Sequence, residues 1–376
     1  MLFILILGIT IISSFLSAIV IFGDSPSFRN TPIHKLRKAI FTTTEQITHV
    51  YNYLDRKTNG KLLKWLSWLV PSGYLAVVTF CIYQFLVKTI PMVTTSMIGP
   101  YYKTDITFII ILVYSSTILA IFSDPGVVSS KKPVPHNYKF QNNQLIFFND
   151  KTCNTCHIVK PPRSKHCSIC GHCYLLYDHH CVWVNNCIGY YNYKWFLLFL
   201  VANIIMLGYG GYVCYQALIF QFRHNLGGAD NGGANNAISK FWKLITKTTD
   251  ANKITGIFLI LCIIFIIITT LFTGLHLQYV YLGVTTNELD KWSEIEHLIR
   301  LRALYRVEPP VNNEEPFVEQ VLLSSGEPAY LSLKSEEILI NRTNINNFTL
   351  TCINSMEHEL TNVYDKGFWN NLKERL

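Results

Sequence analysis

Five apolar runs without an Asp, Glu, Lys or Arg constrain this chain more than any other feature. They cover residues 2–22, 65–87, 106–123, 195–222 and 254–282. About 20 helical residues cross the roughly 30 Å of hydrocarbon in a bilayer. With 50% hydrophobic and 15% charged residues, the chain is too apolar for an ordinary soluble protein. The sequence therefore predicts a polytopic α-helical membrane protein.

The first run has two interpretations. It is either a retained span or a cleaved signal peptide. A signal peptide carries its basic residues before the apolar segment, whereas here they follow it. We therefore predict a retained span, with cleavage as the alternative.

The distribution of basic residues predicts the orientation. The five segments that follow the successive runs carry eight, two, eight, five and nine Lys and Arg residues. Cytosolic loops are the richer ones in membrane proteins. The N-terminus is therefore predicted in the lumen, and the lipid bilayer is the predicted partner of the dispersed basic residues, with no nucleic acid.

This orientation divides the chain into four predicted regions. They are three spans in 1–123 with a cytosolic loop at 24–64, a cytosolic cysteine-rich domain at 124–194, two spans in 195–283 with a lumenal loop at 223–253, and a cytosolic tail at 284–376.

Residues 153–187 concentrate cysteine and histidine. They read CNTCHIVKPPRSKHCSICGHCYLLYDHHCVWVNNC and hold seven of the eleven cysteines. Thiolates and imidazoles at such spacings form tetrahedral zinc sites, and two closed sites need eight ligands. The predicted ligands are Cys153, Cys156, His166, Cys167, Cys170, Cys173, His180 and Cys187. Reduced thiols favour the cytosol, in agreement with the charge distribution. The region 124–194 is therefore predicted as a loop-rich, zinc-binding cysteine-rich domain in the cytosol.

One thiol of this stretch, Cys181, is left over. It follows Asp178, His179 and His180 directly. A thiol beside an imidazole, with a carboxylate to orient the ring, forms an activated nucleophile. The sequence predicts Cys181 as nucleophile, His179 as general base and Asp178 as its orienting carboxylate.

The stretch resembles the cysteine-rich domain of the DHHC protein S-acyltransferases, the palmitoyltransferases. The family's tetrapeptide stands at 178–181. Its other motifs follow in order: Asp-Pro-Gly at 124–126, Thr-Thr-Asn-Glu at 285–288, and Asn-Val-Tyr-Asp-Lys-Gly at 362–367 with Asn371. The Val-Trp-Val-Asn-Asn at 182–186 is most similar to the fungal branch that acts on juxtamembrane cysteines of SNARE proteins.

The resemblance implies the chemistry and the partners. Palmitate would pass from palmitoyl-CoA to Cys181 and then to a cysteine of a membrane protein, SNAREs included, in the endoplasmic reticulum, with the Golgi as the alternative. Two structural Zn²⁺ ions would be held by two interleaved ligand sets, Cys153, Cys156, His166 and Cys173, and Cys167, Cys170, His180 and Cys187. Asn287 and Glu288 would brace the active-site loop, and Tyr364 and Asn371 would dock the C-terminal motif. The sequence makes no prediction about whether an accessory subunit is needed.

Four further predictions concern the surroundings of the site. Arg163 and Lys165 are predicted to bind CoA phosphates. Trp183 is predicted at the mouth of the acyl cavity. Residues 290–306 are predicted to form an amphipathic helix against the membrane or the zinc domain.

Two other classes of protein also carry cysteine and histidine clusters of this kind. A zinc finger for nucleic acid would place a basic helix after the ligands, but an apolar run begins at Trp195. A non-catalytic membrane zinc-binding adaptor explains the eight ligands and leaves Asp178, His179 and Cys181 as a coincidence.

Overall fold

We describe the protein from a computed structural model. Besides a few isolated positions, it describes residues 65–129, 134–143, 145–147, 151–225, 249–300, 304–308, 320–322, 328–332, 337–339 and 349–376.

Within the described residues, four helices are long and apolar enough to cross a membrane. Helix α1 (Leu69–Gln84) continues through a π turn (Phe85–Thr89) and a 3₁₀ turn (Ile90–Met92). A short helix α2 (Thr95–Ile98) separates it from the other three, which are α3 (Tyr102–Phe122), α4 (Tyr193–Asn225) and α5 (Asp250–Tyr281). These helices confirm the last four predicted spans. The run at 2–22 lies outside the described residues.

The chain forms two units. One consists of residues 1–88 with 230–257, and the other of residues 89–229 with 258–376. Helix α1 belongs to the first unit. Helices α3 and α4, with every residue of the site described below, belong to the second.

Helix α3 illustrates how a span satisfies its polar groups without water. The buried hydroxyls of Ser116 and Thr117 both donate to the Val113 carbonyl, at 3.0 and 2.7 Å. Its large apolar residues Phe108 and Ile111 are exposed. In lipid every polar group needs an internal partner, while apolar side chains suit the acyl chains.

The cysteine-rich region between α3 and α4 contains only short strands among the residues described there. A three-stranded antiparallel sheet has the order β1 (Val127–Val128), β3 (His172–Tyr174), β2 (Lys165–Cys167). A separate antiparallel hairpin pairs β4 (His179–Cys181) with β5 (Asn186–Ile188). These strands are too small to bury a core, so their cohesion depends on the cysteines and histidines they carry.

Helix α6 (Thr286–Arg300) follows the last span. Thr285 and Glu288 form a capping box, in which the Glu288 amide donates to Thr285 Oγ1 at 3.2 Å and the Thr285 amide donates to Glu288 Oε2 at 2.9 Å. The predicted helix at 290–306 is thus wrong at both ends. The cap starts it at Thr286, and the chain turns into a strand soon after Arg300.

The apolar side of α6 decides what the helix packs against. Trp292, Ile295 and Ile299 are buried in one cluster with residues 145–147 and Tyr364. The helix therefore packs on residues 145–147, within the cysteine-rich region between α3 and α4, and on the C-terminal motif.

The described residues of the rest of the tail form a sheet and two short helices. The strands are β6 (Leu304–Glu308), β7 (Gln320–Leu322), β8 (Pro328–Ser332), β9 (Glu337–Leu339) and β10 (Thr349–Cys352), in the order β10-β6-β7-β8-β9. The helices are α7 (Met356–Glu359) and α8 (Phe368–Lys373).

Candidate functional site

The eight predicted ligands lie in two groups of four. The first cluster is Cys153, Cys156, His166 and Cys173, and the second cluster is Cys167, Cys170, His180 and Cys187. Within each cluster the donor atoms all lie within 4.8 Å of one another. This grouping is the interleaved one that the resemblance implied, whereas the spacing alone left the pairing open.

Distances inside the clusters fit a tetrahedral ion. Metal–ligand bonds of about 2.0–2.3 Å at a zinc ion put neighbouring donors roughly 3.3–3.8 Å apart. The Cys156 Sγ lies 3.2 Å from His166 Nδ1, and the Cys170 Sγ lies 3.3 Å from His180 Nδ1. The two thiols of Cys170 and Cys187 are 3.5 Å apart. Each cluster can therefore hold a metal ion.

Strand pairing explains how distant ligands meet. His166 of β2 is the cross-strand partner of Cys173 of β3, and His180 of β4 is that of Cys187 of β5. Directly opposed residues have neighbouring side chains. Each cluster is thus one cross-strand His–Cys pair completed by one Cys-x2-Cys turn.

Alternation along β4 separates metal binding from the other chemistry. Successive side chains of a strand point to opposite faces. His180 joins the second cluster, so His179 and Cys181 share the other face. Cys181 is 6% exposed and belongs to neither cluster.

Asp178 is a hub of hydrogen bonds next to this face. Its side chain is 2% exposed, and its Oδ2 lies 2.7 Å from His179 Nδ1. Thr286 donates to it twice, from the backbone amide to Oδ1 at 3.0 Å and from the hydroxyl to Oδ2 at 2.8 Å. This carboxylate is therefore held from two parts of the chain and in turn orients the His179 ring.

The electrostatics of the pair follow from these contacts. Burial acts to raise the pKa of Asp178, but the hydrogen bond and charge of His179 outweigh it and hold that pKa well below its usual range. Burial acts to lower the pKa of His179, but hydrogen bonds with Asp178 and Cys181 raise it to about 9.

The hairpin is fastened to the end of a span. The side-chain amide of Asn186 donates to the carbonyl of Ala120 at 3.1 Å and to that of Ser123 at 2.9 Å. Both carbonyls belong to the C-terminal end of α3, where a helix leaves such groups without internal partners. The thiol of Cys181, cross-strand partner of Asn186, is thereby held near the end of a membrane-spanning helix.

Comparison with known proteins gives this arrangement a family. The model of the family described as DHHC palmitoyltransferase matches residues 146–293. Palmitoyltransferase SWF1 of Candida albicans is 56% identical over 376 residues, covering 100% of this chain and 99% of the relative. The chain belongs to the DHHC palmitoyltransferase family.

Other fungal relatives extend the similarity along the chain. Palmitoyltransferase SWF1 of Debaryomyces hansenii is 47% identical over 383 residues, covering 100% of this chain and 97% of the relative. That of Saccharomyces cerevisiae is 29% identical over 315 residues, covering 81% and 83%. This DHHC protein is a protein S-palmitoyltransferase, and the non-catalytic adaptor no longer stands as an alternative.

The prediction that Arg163 binds CoA phosphates is wrong. Its guanidinium is 2% exposed and forms a bidentate pair with Glu288, both hydrogen bonds being 2.6 Å. It also lies 4.8 Å from the Phe140 ring centre and 4.4 Å from that of Tyr364. Arg163 therefore links the cysteine-rich domain to the tail instead of facing a ligand.

Lys165, predicted with Arg163 to bind CoA phosphates, and Trp183, predicted at the mouth of the acyl cavity, are both accessible. Lys165 is exposed, with its Nζ 5.9 Å from the Tyr177 ring centre. Trp183 is 56% exposed at the tip of the β4–β5 hairpin, two residues after Cys181.

The motifs in the tail act through partly unexpected residues. Glu288 does brace the domain, but the Asn287 amide has no hydrogen-bond partner among the described residues, and Thr286 reaches Asp178 instead. The Tyr364 hydroxyl donates to the Gln141 carbonyl at 2.8 Å, and the Asn371 amide donates to the Val280 carbonyl at 3.0 Å. The Thr-x-x-Glu spacing at 285–288 is a capping signal from which the helix start can be predicted, whereas no local signal indicates the bonds to Asp178.

Proposed function

We propose that Cys181 is the residue that carries the acyl group. Among the seven cysteines of 153–187 it is the one outside the two clusters. Its side chain shares a face with His179, whose ring is oriented by Asp178 at 2.7 Å. This single relationship between a free thiol and an oriented imidazole carries the proposal.

The reaction proceeds in two transfers. The Cys181 thiol gives its proton to His179, and the thiolate attacks the thioester carbonyl of palmitoyl-CoA. The carbon–sulfur bond to CoA breaks, and CoA leaves with the proton from His179. In the second transfer His179 accepts the proton of a substrate thiol, whose sulfur attacks the acyl-enzyme and releases Cys181 as its thiol.

Asp178 acts by orientation. Its hydrogen bond to Nδ1 leaves the other ring nitrogen of His179 free for the thiol proton. Proton transfer by a positioned group contributes about 10²- to 10⁴-fold in rate. The side chain of Asp178 therefore supports both transfers without contacting the acyl group.

Two zinc ions are the proposed occupants of the clusters. A Cys₃His donor set is typical of structural zinc, and four protein ligands leave no open position to activate water. The ions would stabilise the short strands, since metal binding supplies folding free energy where a core is small. The residues of this chain perform both transfers.

The membrane defines the donor. Each CH₂ buried away from water contributes about 0.8 kcal/mol, so a palmitoyl chain belongs among the spans. Trp183 would lie at the mouth of that cavity and Lys165 would contact the CoA phosphates.

The position of the thiol defines the acceptors. Because Asn186 fastens the hairpin to the last carbonyls of α3, Cys181 reaches thiols near the membrane surface. The proposed substrates are membrane proteins with juxtamembrane cysteines, SNAREs included. The proposed location is the endoplasmic reticulum, with the Golgi as alternative and the site in the cytosol, where thiols stay reduced.

The acyl-enzyme is tested with labelled palmitoyl-CoA. The purified protein, Cys181→Ser and Cys214→Ser are incubated with the donor, and bound label is challenged with neutral hydroxylamine, which cleaves thioesters. Cys214 is a matched control because it is a buried thiol of α4 outside the clusters. We expect hydroxylamine-sensitive label on the wild type and on Cys214→Ser alone. Equal label on Cys181→Ser would refute the proposal.

The acceptor is tested with single-span peptides that carry one cysteine. In one the cysteine follows the apolar segment directly, and in the other it lies about 20 residues further on, at the end of a polar linker. We expect faster transfer to the first. Equal rates would show that membrane proximity does not select the substrate.

A further inference from the structure

A second histidine lies against the reaction centre and has no part in the two transfers. His276 is on α5, near its C-terminal end, and is 3% exposed. Its ring centre lies 4.9 Å from that of Phe196, 4.7 Å from that of Phe272 and 5.5 Å from that of His179. A polar ring is thus enclosed by aromatic rings and contacts the general base.

The contact of His276 with Asp178 gives this burial a meaning. His276 Nδ1 lies 4.0 Å from Asp178 Oδ2. Among the described residues this buried nitrogen has no hydrogen-bond partner. A buried polar atom without a partner costs free energy, and a pocket of aromatic rings would accept phenylalanine without that cost. The histidine is therefore explained better by the carboxylate than by packing.

The carboxylate has room for this contact to tighten. Asp178 Oδ2 already receives the Thr286 hydroxyl at 2.8 Å and contacts His179 Nδ1 at 2.7 Å, and Oδ1 receives the Thr286 backbone amide at 3.0 Å. A carboxylate has about four lone-pair positions on its two oxygens, so one position remains, on Oδ1. Hydrogen bonds of an active site are commonly long before the substrate binds and shorten in the reacting complex.

We propose that His276 is a positioning residue, whose Nδ1–H closes on the Asp178 carboxylate and fixes the Asp178–His179 pair from the last membrane-spanning helix. This inference rests on the roles proposed above for Asp178 and His179. His276 itself contacts neither the thioester nor Cys181 and acts through those two residues. The orientation of α5 thereby contributes to the rate of acyl transfer.

The test separates the hydrogen bond from the packing. The full-length protein in micelles is assayed for CoA release from palmitoyl-CoA, with a single-cysteine membrane peptide as acceptor. His276→Phe fills the pocket without a donor, and His276→Asn keeps an N–H near the position of Nδ1. Phe272→Leu is the packing control, because it disturbs the same pocket and removes no polar atom.

We expect His276→Phe to lower kcat about 10-fold with an unchanged KM for palmitoyl-CoA, the size of one hydrogen bond to a charged group. His276→Asn should recover to within about 3-fold of the wild type, and Phe272→Leu should also stay within about 3-fold. Such a split between kcat and KM, with rescue by the conservative variant, would support positioning.

Two results would overturn the inference. One is a kcat for His276→Phe within about 2-fold of the wild type. The other is an equal loss in all three variants that parallels a lower melting temperature, which indicates packing alone. Cys181→Ser is assayed beside them. If it is inactive while His276→Phe is unaffected, only the His276 inference fails, whereas turnover by Cys181→Ser would refute the proposed function and this inference with it.

Discussion

Thr286 donates two hydrogen bonds to the carboxylate of Asp178, which lies 108 residues earlier in the chain. The hydroxyl bond, at 2.8 Å, ends on the same oxygen that contacts His179. The first turn of α6 thus reaches the reaction centre from beyond the last span. The cysteine-rich domain is completed by the tail.

Thr286→Val should slow the acylation of Cys181 by about 10- to 100-fold. It keeps the shape of the side chain and removes one hydrogen bond to a charged group, which is worth about 1.5–3 kcal/mol. Single-turnover labelling with palmitoyl-CoA measures the rate. Thr286→Ser keeps the hydroxyl and should stay close to the wild type. Equal rates for valine and serine would show that the hydroxyl does not support Asp178.

Breaking the Arg163–Glu288 pair should destabilise the protein strongly. The two side chains are 2% and 0% exposed, so Glu288→Gln leaves a buried charge uncompensated, at a cost of about 3–5 kcal/mol. Thermal melting in micelles measures the loss. The matched control is the exposed pair of Arg300 and Glu296, where Glu296→Gln should cost at most about 1 kcal/mol.

A double variant separates the charge from the shape of that pair. Arg163→Met with Glu288→Gln removes the buried cation together with its partner. It should recover part of the stability lost in Glu288→Gln, because the uncompensated charge is gone. A double variant less stable than Glu288→Gln would show that the cation also stabilises through the rings of Phe140 and Tyr364.

The zinc content of the protein should depend on the residues of the two clusters and not on Cys181. The ligand count predicts about two zinc ions for each chain. Cys170→Ser should lose about one of them and melt at a lower temperature, because the second cluster keeps only three of its ligands. Cys181→Ser should retain both ions. Elemental analysis of the purified variants measures the zinc content. A loss of zinc from Cys181→Ser would show that this thiol is a metal ligand.

Loosening the hairpin from α3 should reduce the rate and leave the metal in place. Asn186→Ala removes two hydrogen bonds to the end of the helix. We expect acylation to fall about 5-fold, since each bond contributes about 1 kcal/mol and part of the loss is recovered by water. Asn370→Ala is the control, because it removes one exposed hydrogen bond that the Asn370 side-chain amide donates to a backbone carbonyl. An unchanged rate would mean that the hairpin holds its position without this anchor.

The membrane-spanning helices could be read from the sequence because length and charge decide them. The runs at 65–87, 106–123, 195–222 and 254–282 correspond to four described helices within a few residues at each end. The tail was read less well. The predicted helix begins at Asp290 and so misses the cap at Thr285. The strands from Leu304 onward are not predicted, because pairing between distant segments leaves only a weak pattern in the local sequence.

Arg163 shows where reading a charge fails. A lysine or arginine near a predicted active site can either bind a phosphate or pair with a buried carboxylate. The sequence does not show whether the side chain is buried. Glu288 lies 125 residues away, so the pair forms only when the tail packs on the domain. His276 is the converse case, a lone histidine in an apolar run whose position beside Asp178 depends on how α5 meets the hairpin.

The sequence by itself determined the four described spans, the eight cysteines and histidines of the two clusters and the Asp-His-His-Cys run, since covalent spacing and the apolar character of each run are local properties. Tertiary structure alone decided which ligands share a cluster, because cross-strand register brings His166 to Cys173 and His180 to Cys187. It also decided which groups surround Asp178. Thr286 and His276 follow it by about 100 residues, and only the packing of the last span and the tail places their donors at one buried carboxylate.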